Sequence, residues 1–323
     1  MLEDYRNALR AGQRATRAAQ ARGQSPYLAV LDDILRGVNI VAQEPLGLVD
    51  IPAESIVGTK TAGRHTAFAP NFMPILEADS EFARKWSNLC DAHLEEGIRY
   101  PITAYEYLNK FYVEEGNKRV SVLKYYEAVK IPGTVTRLVP ERNETLENKI
   151  YYEFLDFYKL SKINYVHFSR LGGYAKLQTL VCKATGESWT DDDRLNFASL
   201  YTMFSQQFYA LGGSALGLTP GDALLVYLAV YRYSDAIEST PAQVRENLSK
   251  LWDEIKILTR PQAVELQLEP ATKQGAEPLL SKLNIFSPRP SELRVVLLHE
   301  HNAQTSAWVR GQDKGRDALL KAF

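Results

Sequence analysis

Three helix starts are spelled out in the second half of the chain: Thr190 with Asp193 three residues on, Thr219 and Pro220 with Asp222, and Thr240 and Pro241 with Gln243. In each, a hydroxyl and a second polar side chain satisfy N–H groups that the first helical turn leaves without partners, and proline is tolerated at the first helical position. Behind them run apolar residues at helical spacing: Phe197, Leu200, Tyr201, Phe204, Phe208 and Leu211, then Val244, Leu248, Leu251, Trp252 and Ile255. Such stripes are core-forming faces. With Tyr151, Tyr152, Phe154, Phe157 and Tyr158 opening the segment, residues 141–258 predict an all-α bundle.

The first half reads differently. Residues 1–44 form a helical arm, with Arg6, Arg10 and Arg14 four apart and therefore on one face, and a second short helix from Pro26 to Leu35. A solvated face is the plain reading of that stripe; contact with nucleic acid or an acidic partner is the functional one. Residues 45–140 predict a mixed α/β domain: a strand near Gly47 to Val57, a loop, a helix, then two strands flanking another helix. The first of these helices starts after Asp79 and Ser80, turns Phe82, Trp86, Leu89, Cys90 and His93 inward, and stops at Gly97. The fold class expected for the whole is α+β.

Charge and cysteine content narrow the function classes. The 38 Lys+Arg against 39 Asp+Glu leave a net charge of −1, so any nucleic-acid contact must come from a local patch. Cys90 and Cys182 stand far apart with no Cys/His cluster, which argues for reduced, buried thiols and against a disulfide framework or a zinc site. The longest apolar run, Ala223 to Tyr231, is far short of the ~20 residues that span a bilayer. The amino-terminal residues lack the apolar core of a secretory signal, so a cytoplasmic location is expected and membrane insertion is not.

The most informative stretch is Phe111-Tyr-Val-Glu-Glu-Gly-Asn-Lys-Arg119 and the residues after it. A strand runs through a glycine turn into a helix whose first residues are Asn117, Lys118 and Arg119, so backbone N–H groups and two cations converge where a helix attracts anions. Gly116 would admit a phosphate closely, Arg119 would grip it as a fork and Lys118 as a point charge. Glu115 at the same turn, and Glu54 more weakly, are the candidates for a base or a Mg²⁺ ligand. A second polar loop, Gly58 to Arg64, is not a Walker box, yet its Thr59, Lys60, Thr61, Gly63 and Arg64 would close over a nucleotide from the other side.

The segment Val113-Glu-Glu-Gly-Asn-Lys-Arg-Val-Ser-Val-Leu-Lys124, with Ile131-Pro-Gly-Thr-Val135 after it and Pro101-Ile-Thr-Ala104 and Asp50-Ile-Pro-Ala-Glu-Ser-Ile-Val57 before it, resembles the ParB/sulfiredoxin-like nucleotide-binding domain over about residues 45–140. The resemblance implies phosphate contacts at Gly116, Asn117, Lys118 and Arg119, and a nucleoside triphosphate, CTP or ATP, with or without Mg²⁺, as ligand. Where sulfiredoxin has its catalytic cysteine beside a His-Arg pair, this chain has Asn117, Lys118 and Arg119, which disfavours sulfinic-acid reduction. No compact helix-turn-helix follows Pro140, so sequence-specific DNA binding is not expected.

Residues 259–290, with Pro261, Pro270, Pro278, Pro288 and Pro290 and no sustained period, read as a linker. Beyond it, Leu293-Arg-Val-Val-Leu-Leu-His-Glu300 and Thr305 to Arg316 resemble the first βα unit of a basic membrane protein (BMP) family solute-binding domain, a periplasmic-binding-protein-like α/β fold. Residues 291–323 are thus expected to be a fragment of a domain that continues past Phe323. Through the rest of it a nucleoside would bind near Asn302, Ser306 and Trp308; His299 and His301 lack a third metal ligand. The two resemblances together imply a cytoplasmic nucleotide-binding sensor or regulatory module fused to an ABC-transporter substrate-binding-like, nucleoside-binding domain. The alternatives are a nucleotide hydrolase or small-molecule kinase, and a ParB-like DNA-binding partition protein.

Overall fold

The computed structural model describes residues 2–259, and they combine one mixed sheet with a set of helices, as the α+β class requires. The chain opens with α1 (Leu2–Ala21), β1 (Ala29–Val30), α2 (Leu31–Ile34) and the 13-residue β2 (Ile40–Pro52), then β3 (Ile56–Thr59) and α3 (Glu81–Glu95). Next come β4 (Ile102–Tyr107), β5 (Lys110–Glu115), α4 (Asn117–Tyr125) and β6 (Lys130–Pro140). Among the described residues only helices follow: α5 (Leu146–Ser161), α6 (Gly173–Leu180), α7 (Asp191–Ala210), α8 (Pro220–Val230), α9 (Tyr233–Ile237), α10 (Pro241–Lys250) and α11 (Trp252–Ile257).

The sheet runs β1-β3-β5-β4-β6-β2. Pairs β1/β3, β3/β5 and β4/β6 are parallel; β4/β5 and β2/β6 are antiparallel. A two-residue turn joins β4 to β5, with Leu108 and Asn109 both at positive φ (51° and 62°), the handedness that matches the twist of a tight hairpin. One face of the sheet packs on α4 through Ile102, Ala104, Phe111, Val113, Val120 and Leu123. Outside α4, α3 packs by Trp86, whose indole N–H donates to Ser121 Oγ at 2.8 Å, and α1 packs on α3 by Tyr5, whose ring meets Trp86 edge-on.

The other face carries a buried ion pair. Glu106 of β4 and Arg137 of β6 stand directly opposite in the parallel register, both almost fully buried, with Arg137 Nε donating to Glu106 Oε2. Helix α5 covers them. Tyr151 donates its hydroxyl to the same carboxylate at 3.1 Å, and the guanidinium lies over the rings of Phe154 and Tyr158, at 5.2 and 4.4 Å. The other carboxylate oxygen accepts the Asn109 N–H at 2.8 Å, so the pair also fastens the hairpin turn.

The three anticipated caps are present as full capping boxes at Thr190/Asp193, Thr219/Asp222 and Thr240/Gln243. Helix α8, which carries the long apolar run, is buried from Pro220 to Leu228 and serves as the central helix of the bundle. Ser80 caps α3, and Gly97 at φ 76° follows its end. Among the described residues no helix is long and apolar enough to cross a membrane.

Some local expectations give way. In place of a helix from Pro26 to Leu35 there is a two-residue strand and a single turn, because Ala29 and Val30 pair in parallel with Gly58 and Thr59 and complete the sheet edge. The strand near Gly47 to Val57 is two strands, since the chain turns through a short 3₁₀ segment at Ala53–Ser55. Cys90 is buried as expected, whereas Cys182 is exposed, lying just past α6 at φ 61° where the chain leaves the core. The expectations for residues 260–323, among them most of the linker and the BMP-like unit with Asn302, Ser306 and Trp308, lie outside the described residues.

Removing one member of a buried ion pair strands the other charge, at about 3 to 5 kcal/mol. Arg137→Met is therefore expected to lower the unfolding free energy in urea by that amount, and the double variant Glu106→Leu/Arg137→Met to recover most of it. A single variant as stable as the wild type would show that the pair does not hold β4, β6 and α5 together.

Candidate functional site: the start of helix α4

Strands β3 and β5 are parallel neighbours, so the loops leaving their carboxyl ends emerge side by side. The loop after β5 is a single glycine. Gly116 adopts φ 111°, a conformation open to glycine, and a Cβ there would lie 2.7 Å from Ile102 Cγ2. That tight turn aims the first N–H groups of α4, at Asn117, Lys118 and Arg119, out of the end of the sheet; the first backbone bond closing the helix is Val120 N–H to Gly116 O at 3.0 Å.

Two of the anticipated residues meet at this point. Thr59, buried at the end of β3, donates its hydroxyl to Val113 O at 2.9 Å and accepts Asn117 Nδ2 at 3.2 Å. The Asn117 side-chain oxygen is shut off from solvent without a partner. Lys118 is half-buried, its ammonium 4.7 Å from the centre of the Phe82 ring. Burial, and after it the cations Arg64 and Lys85, hold its pKa below the ordinary lysine value, opposed only by Glu81. Arg64 is exposed in the 3₁₀ segment Ala62–Ala67 that follows β3. Lys85 projects from α3, where it pairs with Glu81 at 2.5 Å. Arg64 and Lys85 are thus the cationic neighbours of Lys118 in the first turn of α4, and Glu81 is the carboxylate that acts on it.

The remaining candidates are placed otherwise. Arg119 is committed within the chain: its guanidinium donates to Tyr100 O at 2.9 Å, Pro101 O at 2.5 Å and Glu115 Oε1 at 3.2 Å. It clamps the entry to β4 against the turn, and the exposed Glu115 is its ion-pair partner. Lys60 reaches Asp32 at 3.4 Å and lies over the Tyr105 ring at 5.1 Å, on the α2 side. Thr61 and Gly63 are exposed on the loop between β3 and Arg64. Glu54 accepts a hydrogen bond from Tyr209 at 3.2 Å and is an electrostatic neighbour of Lys124, at the far end of α4. Glu54 and Glu115 therefore flank opposite ends of one helix and share no substrate position. Among the described residues no group of three or more His, Cys, Asp or Glu side chains is arranged to hold a metal.

Lys85 was not foreseeable. It lies on the solvent side of an amphipathic helix, and no sequence signal ties that helix to the start of α4.

Two cavities open beside Glu54. The larger, about 560 Å³, is walled by Val57, Leu108, Ile150, Tyr151 and His167; the smaller, about 310 Å³, by Lys130, Tyr165, Tyr201 and Tyr209. Both ring nitrogens of His167 are shielded from solvent and make no hydrogen bond, and burial pushes the imidazole pKa down to about 4 from its ordinary 6.5.

Compared with models of protein families, the chain matches none, and it matches no curated protein.

The depressed value of His167 makes a signed prediction. Above about pH 6.5 the ring is neutral in both states and its contribution is complete; as pH falls towards 4 only the unfolded chain takes up the proton, and stability is lost. Urea unfolding at about pH 7 and about pH 5 should differ by about 2 kcal/mol more in the wild type than in His167→Leu. Equal differences in the two proteins would contradict the buried neutral ring.

Proposed function

We propose that the sheet with α3 and α4 is a nucleotide-binding regulatory module, of the ParB/sulfiredoxin-like kind, that takes the phosphates of a nucleoside triphosphate at the start of α4. The observation that carries this reading is the gathering of positive charge there: Arg64 and Lys85 act on Lys118 in the first turn of α4, where Glu81 is paired with Lys85 and Glu115 with Arg119. Helix dipole, free N–H groups and cations all favour an anion at that point. The half-buried ammonium of Lys118 is the group with most to gain, since burial, and after it cationic neighbours, depress its pKa, and an incoming phosphate would offset those neighbours. CTP and ATP are the candidate ligands, and Mg²⁺ would arrive with the phosphates.

Residue roles shift within this reading. Lys118 and Arg64 grip the phosphates, Gly116 keeps the approach clear, and Thr59 with Asn117 holds the two loops together. Arg119, tied to two carbonyls and Glu115, keeps the turn in shape. A sensor is favoured over a hydrolase or kinase because Glu54 and Glu115 sit at opposite ends of α4, whereas phosphoryl transfer needs a base and metal ligands converging on one phosphate. The BMP-like resemblance of residues 291–323 extends the proposal to a regulatory protein that joins nucleotide binding to nucleoside recognition.

Calorimetry of the full chain against CTP, ATP, GTP and UTP, with and without Mg²⁺, tests the module. One triphosphate should bind, and Lys118→Ala and Arg64→Ala should each weaken it about tenfold, or about 1.4 kcal/mol. Absence of binding by all four, or affinities unchanged in both variants, would remove the proposal.

A further inference from the structure

The outer face of α1 carries a second concentration of positive charge. Arg6, Arg10, Arg14 and Arg17 are all exposed, and among the described residues none of them is in an ion pair; Arg10 bonds only to the Asn7 side chain. After Asp4 the chain has no acidic residue until Asp32. At 3.6 residues per turn the four arginines fall within an arc of about 80°, and Arg6 to Arg17 spans about 16 Å along the axis. That arc lies diametrically opposite the packed stripe of Tyr5, Ala8, Gly12 and Ala19. Helix α1 is held close on that side, since a Cβ on Gly12 would come within 2.3 Å of Pro74 O.

We propose that this face binds the phosphate backbone of a nucleic-acid duplex without reading its sequence. Three features select that partner. The cations of the face are all arginine and none is lysine, with the exposed Glu3 the carboxylate at its amino-terminal end, and the guanidinium fork suits phosphate oxygens. The face holds no apolar side chain larger than alanine, whereas a protein partner needs an apolar centre to its interface and a duplex backbone does not. The apolar stripe that would enter a membrane is already used against α3 and the segment around Pro74. The net charge of −1 means the attraction is local to α1 and strongly dependent on salt.

Fluorescence anisotropy of the full chain with a labelled, mixed-sequence DNA duplex, from about 50 to 200 mM salt, provides the test. With four phosphates neutralised, log Kobs should fall against log salt with a slope of about −3.6. Arg10→Ala/Arg14→Ala should halve that slope, roughly to −1.8, with affinity reduced alike for duplexes of unrelated sequence. Alanine is a strong helix former, so this variant should keep its helical circular dichroism. No binding near 50 mM salt, or an unchanged slope in the variant, would overturn the proposal. So would tighter binding to polyglutamate or to phosphatidylserine vesicles than to the duplex.

Discussion

The architecture turns on the contact between the Glu106 carboxylate and the Arg137 guanidinium. They face each other across two parallel strands, on the side of the sheet that α5 covers, with almost no access to water. Taking two charges out of water is costly, and an apolar pair of similar volume would fill the space as well. What the charges add is intolerance of error. A slip of β6 by one residue against β4 would turn the guanidinium to the opposite face and leave the carboxylate alone. The same carboxylate holds Asn109 in the hairpin and Tyr151 of α5, so register, turn and helix docking are set by one group.

With β4 and β5 fixed in this way, the end of β5 has one place to go. Gly116 turns the chain into α4, Ile102 closes over that glycine, and Arg119 ties the turn to the carbonyls of Tyr100 and Pro101. The cations gathered around Lys118 come from three separate elements: the loop after β3, α3 and α4 itself. Their convergence follows from packing, since Trp86 bonds α3 to α4 through Ser121 and thereby brings Lys85 towards Lys118. The helix start is thus a hydrogen-bonded platform with cationic side chains around it, an arrangement suited to recognising an anion.

The sequence revealed best what depends on near neighbours. The capping boxes of α7, α8 and α10, the cap and the glycine stop of α3, and the strand, glycine and helix at Val113 to Arg119 all rest on residues three or four apart, and all appear in the structure. What escaped was long-range. Ala29 and Val30 are a strand only because Gly58 and Thr59 lie beside them. Lys60 and Arg64 are four residues apart in one polar loop, yet Lys60 is drawn to Asp32 and Arg64 to the Lys118 side. Glu115 and, more weakly, Glu54 were candidates as carboxylates near loops, and the length of α4 separates them. Arg119 looked like the strongest phosphate ligand of the box, but the carbonyls that occupy it belong to residues nearly twenty positions earlier.

The most direct measurement is the response of individual backbone amides to a nucleoside triphosphate, followed by titrating the isotopically labelled chain with CTP and with ATP in two-dimensional NMR spectra. Binding at the start of α4 predicts that the amide resonances of Asn117, Lys118 and Arg119, and those of the loop from Lys60 to Arg64, shift together and saturate with one of the two, while those of β2 and α10 stay in place. Resonances at 116–119 that remain unmoved through the titration, or shifts confined to the helical bundle, would contradict it.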